Sequence, residues 1–533
     1  DQKSSNNSES ARRCPVRTPN AGVCARGTEY TIEYLLNGDI GTTIVNVTEG
    51  AVELISAAGD LVALVDAGER FSFDALETAS FPQISASYAG TVFLMTTSTS
   101  ANVTQLHIVN TSNVAQSFAG TLFQRSGEQL GGSSVLLATE MIAADGRLVL
   151  NSQDLEDLFS IDPWRGPAML EIQGVAPFEM MTKLINPSGL VSNTNCVRDQ
   201  SALNVEGFDS DVLTFIRFIN TTDSTITDIR GALYDEAGAL IGDDNVLFVG
   251  SLEPKQQIWI NRDQFAEILG REWAGVGALQ INEVEGLKLL NLNLVNGDTF
   301  FNFSCFERSD AGFVFLQTTS TSQNLSLTHF INTSQMPQQF RGSLYSKSGA
   351  ELGGSDQPLH EGTIAPNGRL VLSSSDLESV FGVSAWSGPA LLEVTGSGAF
   401  ELMTRLTSPS GLVSNSNCIR DREVHNVEGF DSPVLSFVRL VNTGTAALNG
   451  ISGVLHDSNG AVIGAGVEEL VASLPGKSAI WLNRNDLSDI YGETWVGEAS
   501  LSVTTTDNAL KLLNLNFANS ETFTNFSCYE IGI

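Results

Sequence analysis

Apolar and polar residues alternate along most of this chain, in runs too short for helices. TQLHIVN (104–110) and LLEV (391–394) have the period of two that marks a strand with one buried face. Glycine punctuates these runs, as in LYDEAGALIG (233–242), where a hairpin turn needs positive φ. The pattern also repeats. GTLFQRSGEQLG (120–131), GALYDEAGALIG (231–242), GSLYSKSGAELG (342–353) and GVLHDSNGAVIG (453–464) begin 111 residues apart. Their inner glycines Gly127, Gly238, Gly349 and Gly460 keep that step.

Other landmarks share the period. Strands close in LHIVN (106–110), IRFIN (216–220), THFIN (328–332) and VRLVN (438–442). A W-x-G recurs at Trp164, Trp273, Trp386 and Trp495, each followed by an alternating run (AMLEI, GALQI, ALLEV, ASLSV). NPSGLVSNTNC (186–196) returns as SPSGLVSNSNC (408–418), 222 residues later. Four homologous modules in an A-B-A-B order follow, with the two-module block duplicated as a unit. Six or seven short strands in some 110 residues point to an antiparallel β-sandwich, with the tryptophans plugging its core. A short helical turn is expected after LNSQDLEDLF (150–159) and its equivalents, with Asp or Asn caps.

The fold expected is all-β: an N-terminal β-rich domain with a polar tail (1–89), then sandwiches A1 (90–198), B1 (199–310), A2 (311–420) and B2 (421–533). The order F-I-N … G-x-L-Y-D-x-x-G-x-x-I-G … L-x-P … W-x-G-x-x-x-x-I resembles the Ig-like β-sandwich repeats of secreted bacterial proteins. The first ninety residues differ. Thr18-Pro19, Arg26-Gly27-Thr28-Glu29, Glu49-Gly50 and Ala67-Gly68-Glu69 resemble, in order, the motifs of a FecR-type domain. That resemblance implies an extracytoplasmic β module, with turns at Gly50, Gly59 and Gly68. Nothing here resembles the FecR regulator's membrane helix or cytoplasmic part, and a polar tail stands where further strands are expected. A strand supplied by another subunit would fill that edge.

Composition narrows the function. The 533 residues are too many for one core, 42% are hydrophobic, and the net charge is −33. Such an acidic surface repels nucleic-acid phosphates and anionic lipid. No apolar run of about 18 residues exists, so no membrane insertion is expected. The chain opens DQKSSNNSES, which reads as a processed end without a signal peptide.

The cysteines are Cys14, Cys24, Cys196, Cys305, Cys418 and Cys528. None forms a C-x-x-C or a His-Cys cluster, which argues against zinc, iron–sulfur and haem. Matched long spacings instead suggest disulfides Cys14–Cys24, Cys196–Cys305 and Cys418–Cys528, and therefore an oxidising, extracellular location. In this reading PSGLVSNxNC is the A-to-B connector, and its cysteine clamps the start of B to the end of B.

Sites for chemistry are sparse. His107 and His329 stand where the B modules carry Arg217 and Arg439, a position expected to hold a surface or ion-pair residue. His360, His425 and His456 have no equivalents. No G-x-S-x-G elbow supports a serine hydrolase, so no catalytic or cofactor-binding residue is assigned. VEGFDS at 205–210 and 427–432 offers Glu206, Asp209, Glu428 and Asp431 as weak calcium candidates, against a plain capped turn. GDD (242–244) is weaker still. Nine N-x-S/T sequons, at Asn6, Asn46, Asn102, Asn110, Asn220, Asn302, Asn324, Asn332 and Asn525, are candidate glycan acceptors or copies of a chance hit.

The function expected is a non-enzymatic structural subunit at the cell surface that self-associates into a homopolymeric filament, sheath or matrix. The alternatives are an adhesin binding surface glycans, a FecR-type sensor, and a hydrolase whose catalytic domain lies elsewhere.

Overall fold

The computed structural model describes residues 88–533 except 188–190, 195, 296–298, 305–306, 416–417, 519–521 and 533. Before residue 88 it describes five strands, and of their side chains only Val45 and Val47. The chain divides into two compact units, Asp1–Ser87 and Tyr88–Ile533.

The first unit is one antiparallel sheet. Ala21–Asn37 and Ile40–Ser56 form a long hairpin, with Val16–Thr18 on its outer edge. The far edge of Ile40–Ser56 is shared. Its first half pairs with Arg70–Leu76 and its second with Leu61–Asp66. One strand bearing two partners end to end must curl. Val45 and Val47, two residues apart, are buried on its inner face. Gly50 lies inside this strand and not at a turn. The register shifts opposite it, between Arg26 and Glu29, so the Arg26–Glu29 motif is a β-bulge facing a glycine. Gly59, Gly68, Cys14 and the polar tail lie outside the described residues.

Each sandwich has eight strand segments and one helix. In A1 one sheet runs Tyr88–Leu94, Ala168–Gly174, Ala119–Gln124, Gln129–Leu136. The other runs Arg147–Asn151, Val103–Val109, Glu179–Ile185, Val191–Asn193. Counted along the module, the strand orders are 1-6-3-4 and 5-2-7-8, and B1 and B2 repeat both. A2 keeps the same pairings, but its sixth and seventh strands run on as one, Ala390–Thr407, joining the two sheets. In an immunoglobulin sandwich the second strand lies between the first and the fifth. Here it lies between the fifth and the seventh, so the strand order is a different one. The first strand of A2, Glu307–Leu316, starts ahead of the expected boundary at 311.

The repeated motifs are the fixed points of each core. Trp164, Trp273, Trp386 and Trp495 are all buried among the apolar strands. The helices Ser152–Phe159, Arg262–Leu269, Ser374–Phe381 and Arg484–Tyr491 occupy the LNSQDLEDLF stretch itself and do not follow it. Asn151, Asn261, Ser373 and Asn483 cap them, each in a capping box.

The modules are not strung out. They close into a ring, each docking on the next by one repeated contact. The third-to-fourth-strand hairpin of a module meets the turn before the fifth strand of the following module. Backbone N–H groups of Gln257, Arg369 and Ala479 donate to the carbonyls of Arg125, Glu236 and Lys347, at 2.9, 2.8 and 2.9 Å. The fourth bond closes the circle: Arg147 N–H in A1 donates to Ser458 in B2 at 2.9 Å. The inner hairpin glycines have φ of +88, +80, +84 and +79°. A Cβ on Gly127, Gly238, Gly349 or Gly460 would collide with the carbonyl oxygen of Pro254, Pro366, Gly476 or Ala144 in the neighbouring module. These glycines serve their turn and the close approach at once.

Gly460→Ala is therefore expected to cost roughly 1–3 kcal/mol, beyond the loss from Gly450→Ala, whose φ is also positive but which has open space around it. Calorimetric unfolding of the two variants measures the difference.

Candidate functional site

The junctions are of two chemical kinds. A1 meets B1 through an apolar seam of Phe93, Met169, Ile219, Leu290 and Leu292. A2 meets B2 through the equivalents Phe315, Leu391, Val441, Leu513 and Leu515. Arg217 and Arg439 are buried in these seams, at 0% exposure, not on the surface. Arg217 stacks over Phe93 and Trp259 and donates to the Ala168 carbonyl at 3.2 Å. Arg439 does the same with Phe315, Trp481 and Ala390. Burial lowers both guanidinium pKa values to about 9, and neither has a carboxylate partner among the described residues. The seams gain ion pairs elsewhere, from Lys255 to Glu171 and from Lys477 to Glu393.

The B-to-A seams add crossed ion pairs to apolar clusters of their own, Val295, Phe301 and Phe303 with Met403, Leu412 and Val413 between B1 and A2, and Phe526 and Tyr529 with Val109 and Met181 between B2 and A1. Between B1 and A2, Arg405 pairs with Glu206 at 2.7 Å and Arg198 with Glu401 at 2.6 Å. Between B2 and A1, Arg420 and His425 both hold Glu179, and Arg147 and Lys183 both hold Glu498. His107 Nδ1 lies 3.4 Å from the same Glu498 carboxylate. Its pKa is nevertheless lowered well below 6.5, by burial and then by Lys183, with Glu498 opposing and Arg147 adding to the drop. The carboxylate is already taken by two permanent cations, so His107 stays neutral. Burial raises the pKa of Glu179, but His425 and Arg420 outweigh it and hold the group down to about 2. Glu498 is likewise held low against its burial, chiefly by the Lys183 cation, with Arg147 adding. Glu428 beside this cluster is pushed up by burial.

This seam contains the nearest thing to a catalytic constellation. Ser500 Oγ lies 3.2 Å from His425 Nδ1, and His425 Nε2 lies 3.1 Å from Glu179. All three are buried, and Arg147 also donates to Ser500 Oγ at 3.2 Å. A cavity of about 200 Å³ in the seam is lined by Lys183, Glu428 and Glu498 among others, and Ser500, His425 and Glu179 are not on its wall. The arrangement joins two modules.

At the ring axis the last strands of the modules converge. Every module ends in N-x-x-C: Asn193–Cys196, Asn302–Cys305, Asn415–Cys418 and Asn525–Cys528. Asn302 Nδ2 donates to the Cys196 carbonyl at 2.9 Å, Asn525 to Cys418 at 2.8 Å, and Asn193 to Cys528 at 2.7 Å. The disulfide is Cys196–Cys528, 332 residues apart, and Cys418 is disulfide-bonded too. This overturns the pairings Cys196–Cys305 and Cys418–Cys528. The ring brings the ends of neighbouring modules together, so the bridge spans A1 and B2 and does not close B on itself. Cys305 lies outside the described residues, as does the side chain of Cys24. The axial cavity holds about 30 Å³, room for water but far below the roughly 300 Å³ and more of a ligand pocket.

The sequon asparagines are mostly structural. Asn110 is fully buried, and its Nδ2 donates to the carbonyls of Val114, Ile142 and Ala143. Its Oδ1 accepts from Ser112, the sequon's own third residue. Asn220 repeats this with three carbonyls and Asn332 with two; Asn442, which has no sequon, also binds three. The clamp fixes the very turn on which the preceding module docks. With Asn302 and Asn525 bonded at the axis, Asn102 and Asn324 are left half-exposed. Asn6 and the side chain of Asn46 lie outside the described residues.

The calcium candidates do not converge. Asp209 and Asp431 accept from the N–H of Gly275 and Gly497, both at 2.8 Å, and Glu206 is held by Arg405. No group of three or more His, Cys, Asp or Glu suited to a metal occurs among the described residues. No helix among them is long and apolar enough to cross a membrane. No family model matches the chain, and no curated protein matches it. The fourfold N-x-x-C spacing was the overlooked signal for the axial hub.

Two outcomes follow. Non-reducing peptide mapping is expected to recover Cys196 linked to Cys528, and by the internal symmetry Cys305 linked to Cys418; a Cys196–Cys305 peptide contradicts the ring. His107 and His329 are both depressed mainly by burial, so they bind protons more readily unfolded. Their stabilisation is complete above pH 6.5 and is lost as pH falls below it; Glu179 adds a further loss below about 4.5. The melting temperature should fall from pH 7 to pH 5, and His107→Gln with His329→Gln should flatten that slope.

Proposed function

We propose that this chain is a non-enzymatic extracellular structural protein, a self-assembling subunit of a cell-surface filament, sheath or matrix. The observation that carries the reading is the ring itself. Its most concentrated polar groups, including the buried Ser500–His425–Glu179 set, are spent on holding modules together. A disulfide closing a 332-residue span, worth roughly 5–6 kcal/mol in the chain-entropy picture, braces the closing seam and suits an oxidising exterior. The N-terminal unit, with its bulge at the FecR-like Arg26–Glu29 motif, is read as the extracytoplasmic module of that surface protein.

A second reading is an adhesin, favoured by one difference between the copies. The A modules carry apolar tips, Val114 at 51% and Met336 at 72% exposure, in repeat-equivalent loops. The B modules have TTDST (221–225) and TGTAA (443–447) there.

Negative-stain electron microscopy of the protein taken from its native surface without reductant is the test. Regular filaments or sheets built of ring-shaped heads are expected. Isolated heads that bind glycan arrays through the A-module tips would shift the assignment to an adhesin.

A further inference from the structure

The seam between B2 and A1 copies the seam between B1 and A2, but without a continuous chain. In A2 the segment entering from B1 runs along the seventh strand of the module, Glu307 opposite Leu402 and Arg308 opposite Glu401, and then becomes the first strand. In A1 the C-terminal Glu530 and Ile531 take this place, opposite Met180 and Glu179. Gly532 N–H donates to the Phe178 carbonyl at 3.0 Å, and a Cβ on Gly90, in A1's own first strand, would lie 3.5 Å from Gly532 Cα. Phe526 and Tyr529 of the same segment fill an apolar pocket with Val109, Met181 and Val191.

Three junctions are thus joined by the backbone on either side. The fourth is held by a donated strand, an ionic network and one reducible bond, Cys196–Cys528. It is also the seam with the most buried charge, since Glu498 stands where its B1 equivalent is Val276. Of the four junctions this one alone has no backbone link between consecutive modules, so with its disulfide reduced it is the one to open first. Once open, the chain has a donor end on B2 and an acceptor edge on A1 that cannot meet at the same moment. Head-to-tail faces that close within one molecule make a ring, and between molecules they propagate.

We propose that the B2–A1 seam is exchangeable between copies. The segment Phe526–Gly532 of one chain inserts against Glu179–Ile185 of a second copy, and Cys528 of the first bonds to Cys196 of the second. The exchange conserves atoms and electrons: reductant cleaves the internal disulfide to two thiols, and an oxidant such as oxidised glutathione re-forms one disulfide per junction between chains. This names the contact by which the subunit proposed above assembles, and it rests on that reading.

The test mixes equal amounts of full-length light and ¹⁵N-labelled protein. They are reduced with tris(2-carboxyethyl)phosphine at pH 5, freed of it by gel filtration, then reoxidised together with oxidised glutathione at pH 7.5 over a range of concentrations. Peptide mass spectrometry reads the Cys196–Cys528 linkage, and electron microscopy reads assembly. Exchange predicts linked peptides of mixed label, rising with concentration towards half of the total, and a non-reducing gel ladder that collapses on reduction. Linked peptides of a single label at every concentration overturn the proposal, since the seam then closes only within a chain. Assemblies that form while linkages stay single-label also overturn it and leave the structural function standing. Mixed labels confined to closed dimers uphold the exchange and remove the filament. Phe526→Ala with Tyr529→Ala should reduce the mixed-label fraction at least tenfold while each apolar A–B seam stays intact, read as a retained high-temperature unfolding transition.

Discussion

One contact organises the second unit: a hairpin tip pressed against its neighbour's turn so closely that a methyl group does not fit between them. The glycine at the tip is required twice, by its positive φ and by the facing carbonyl. The turn it meets is itself held rigid. The asparagine at the end of the second strand binds two or three carbonyls around it. In the B modules the turn residues Lys255 and Lys477 are kept at φ +58°, and their ammonium groups reach Glu171 and Glu393 of the preceding module. Because the contact is the same at every step, four repetitions bring the last module back to the first.

Chemistry then divides the four equal contacts into two pairs. Within each A-B block the seam is apolar, with one buried arginine stacked on aromatic faces. Between blocks, apolar clusters are joined by crossed carboxylates, arginines and histidines. Buried ion pairs give up much of their attraction to desolvation, so the apolar contacts matter at every seam. The ring is two A-B halves clasped across a pseudo-twofold axis. Both clasps use a segment from the end of a B module laid along an A module. The disulfide at the axis follows the same logic, joining one half to the other.

The same arrangement decides what the buried polar groups do. Ser500, His425 and Glu179 have the distances of a proton relay, yet they come from two different modules and face each other. His107 sits beside a carboxylate and stays neutral because it is buried, and because Lys183 and Arg147 already pair with that carboxylate. Ser500, His425 and Glu179 link B2 to A1 across the closing seam. The histidines, carboxylates and cysteines of the seams are buried between modules, which is why protons and reductant are expected to act there.

The sequence by itself determined the module. The period of two, the turn glycines, the core tryptophans and the four-times-repeated hairpin are local signals, each fixed by backbone sterics or by burial of one face. They specify an all-β chain of repeated sandwiches with capped helical turns. It did not determine how the strands pair beyond a hairpin, nor how modules meet. The sheet order places strand two between five and seven, a choice made by packing across the sandwich. The ring angle arises from the shape of hairpin on turn, which no spacing encodes. The cysteines show the difference most directly. Spacings of 109 and 110 residues make Cys196–Cys305 and Cys418–Cys528 look like matched loops along the chain. In the closed ring Cys196 bonds a partner 332 residues away, because module docking places Cys528 beside it.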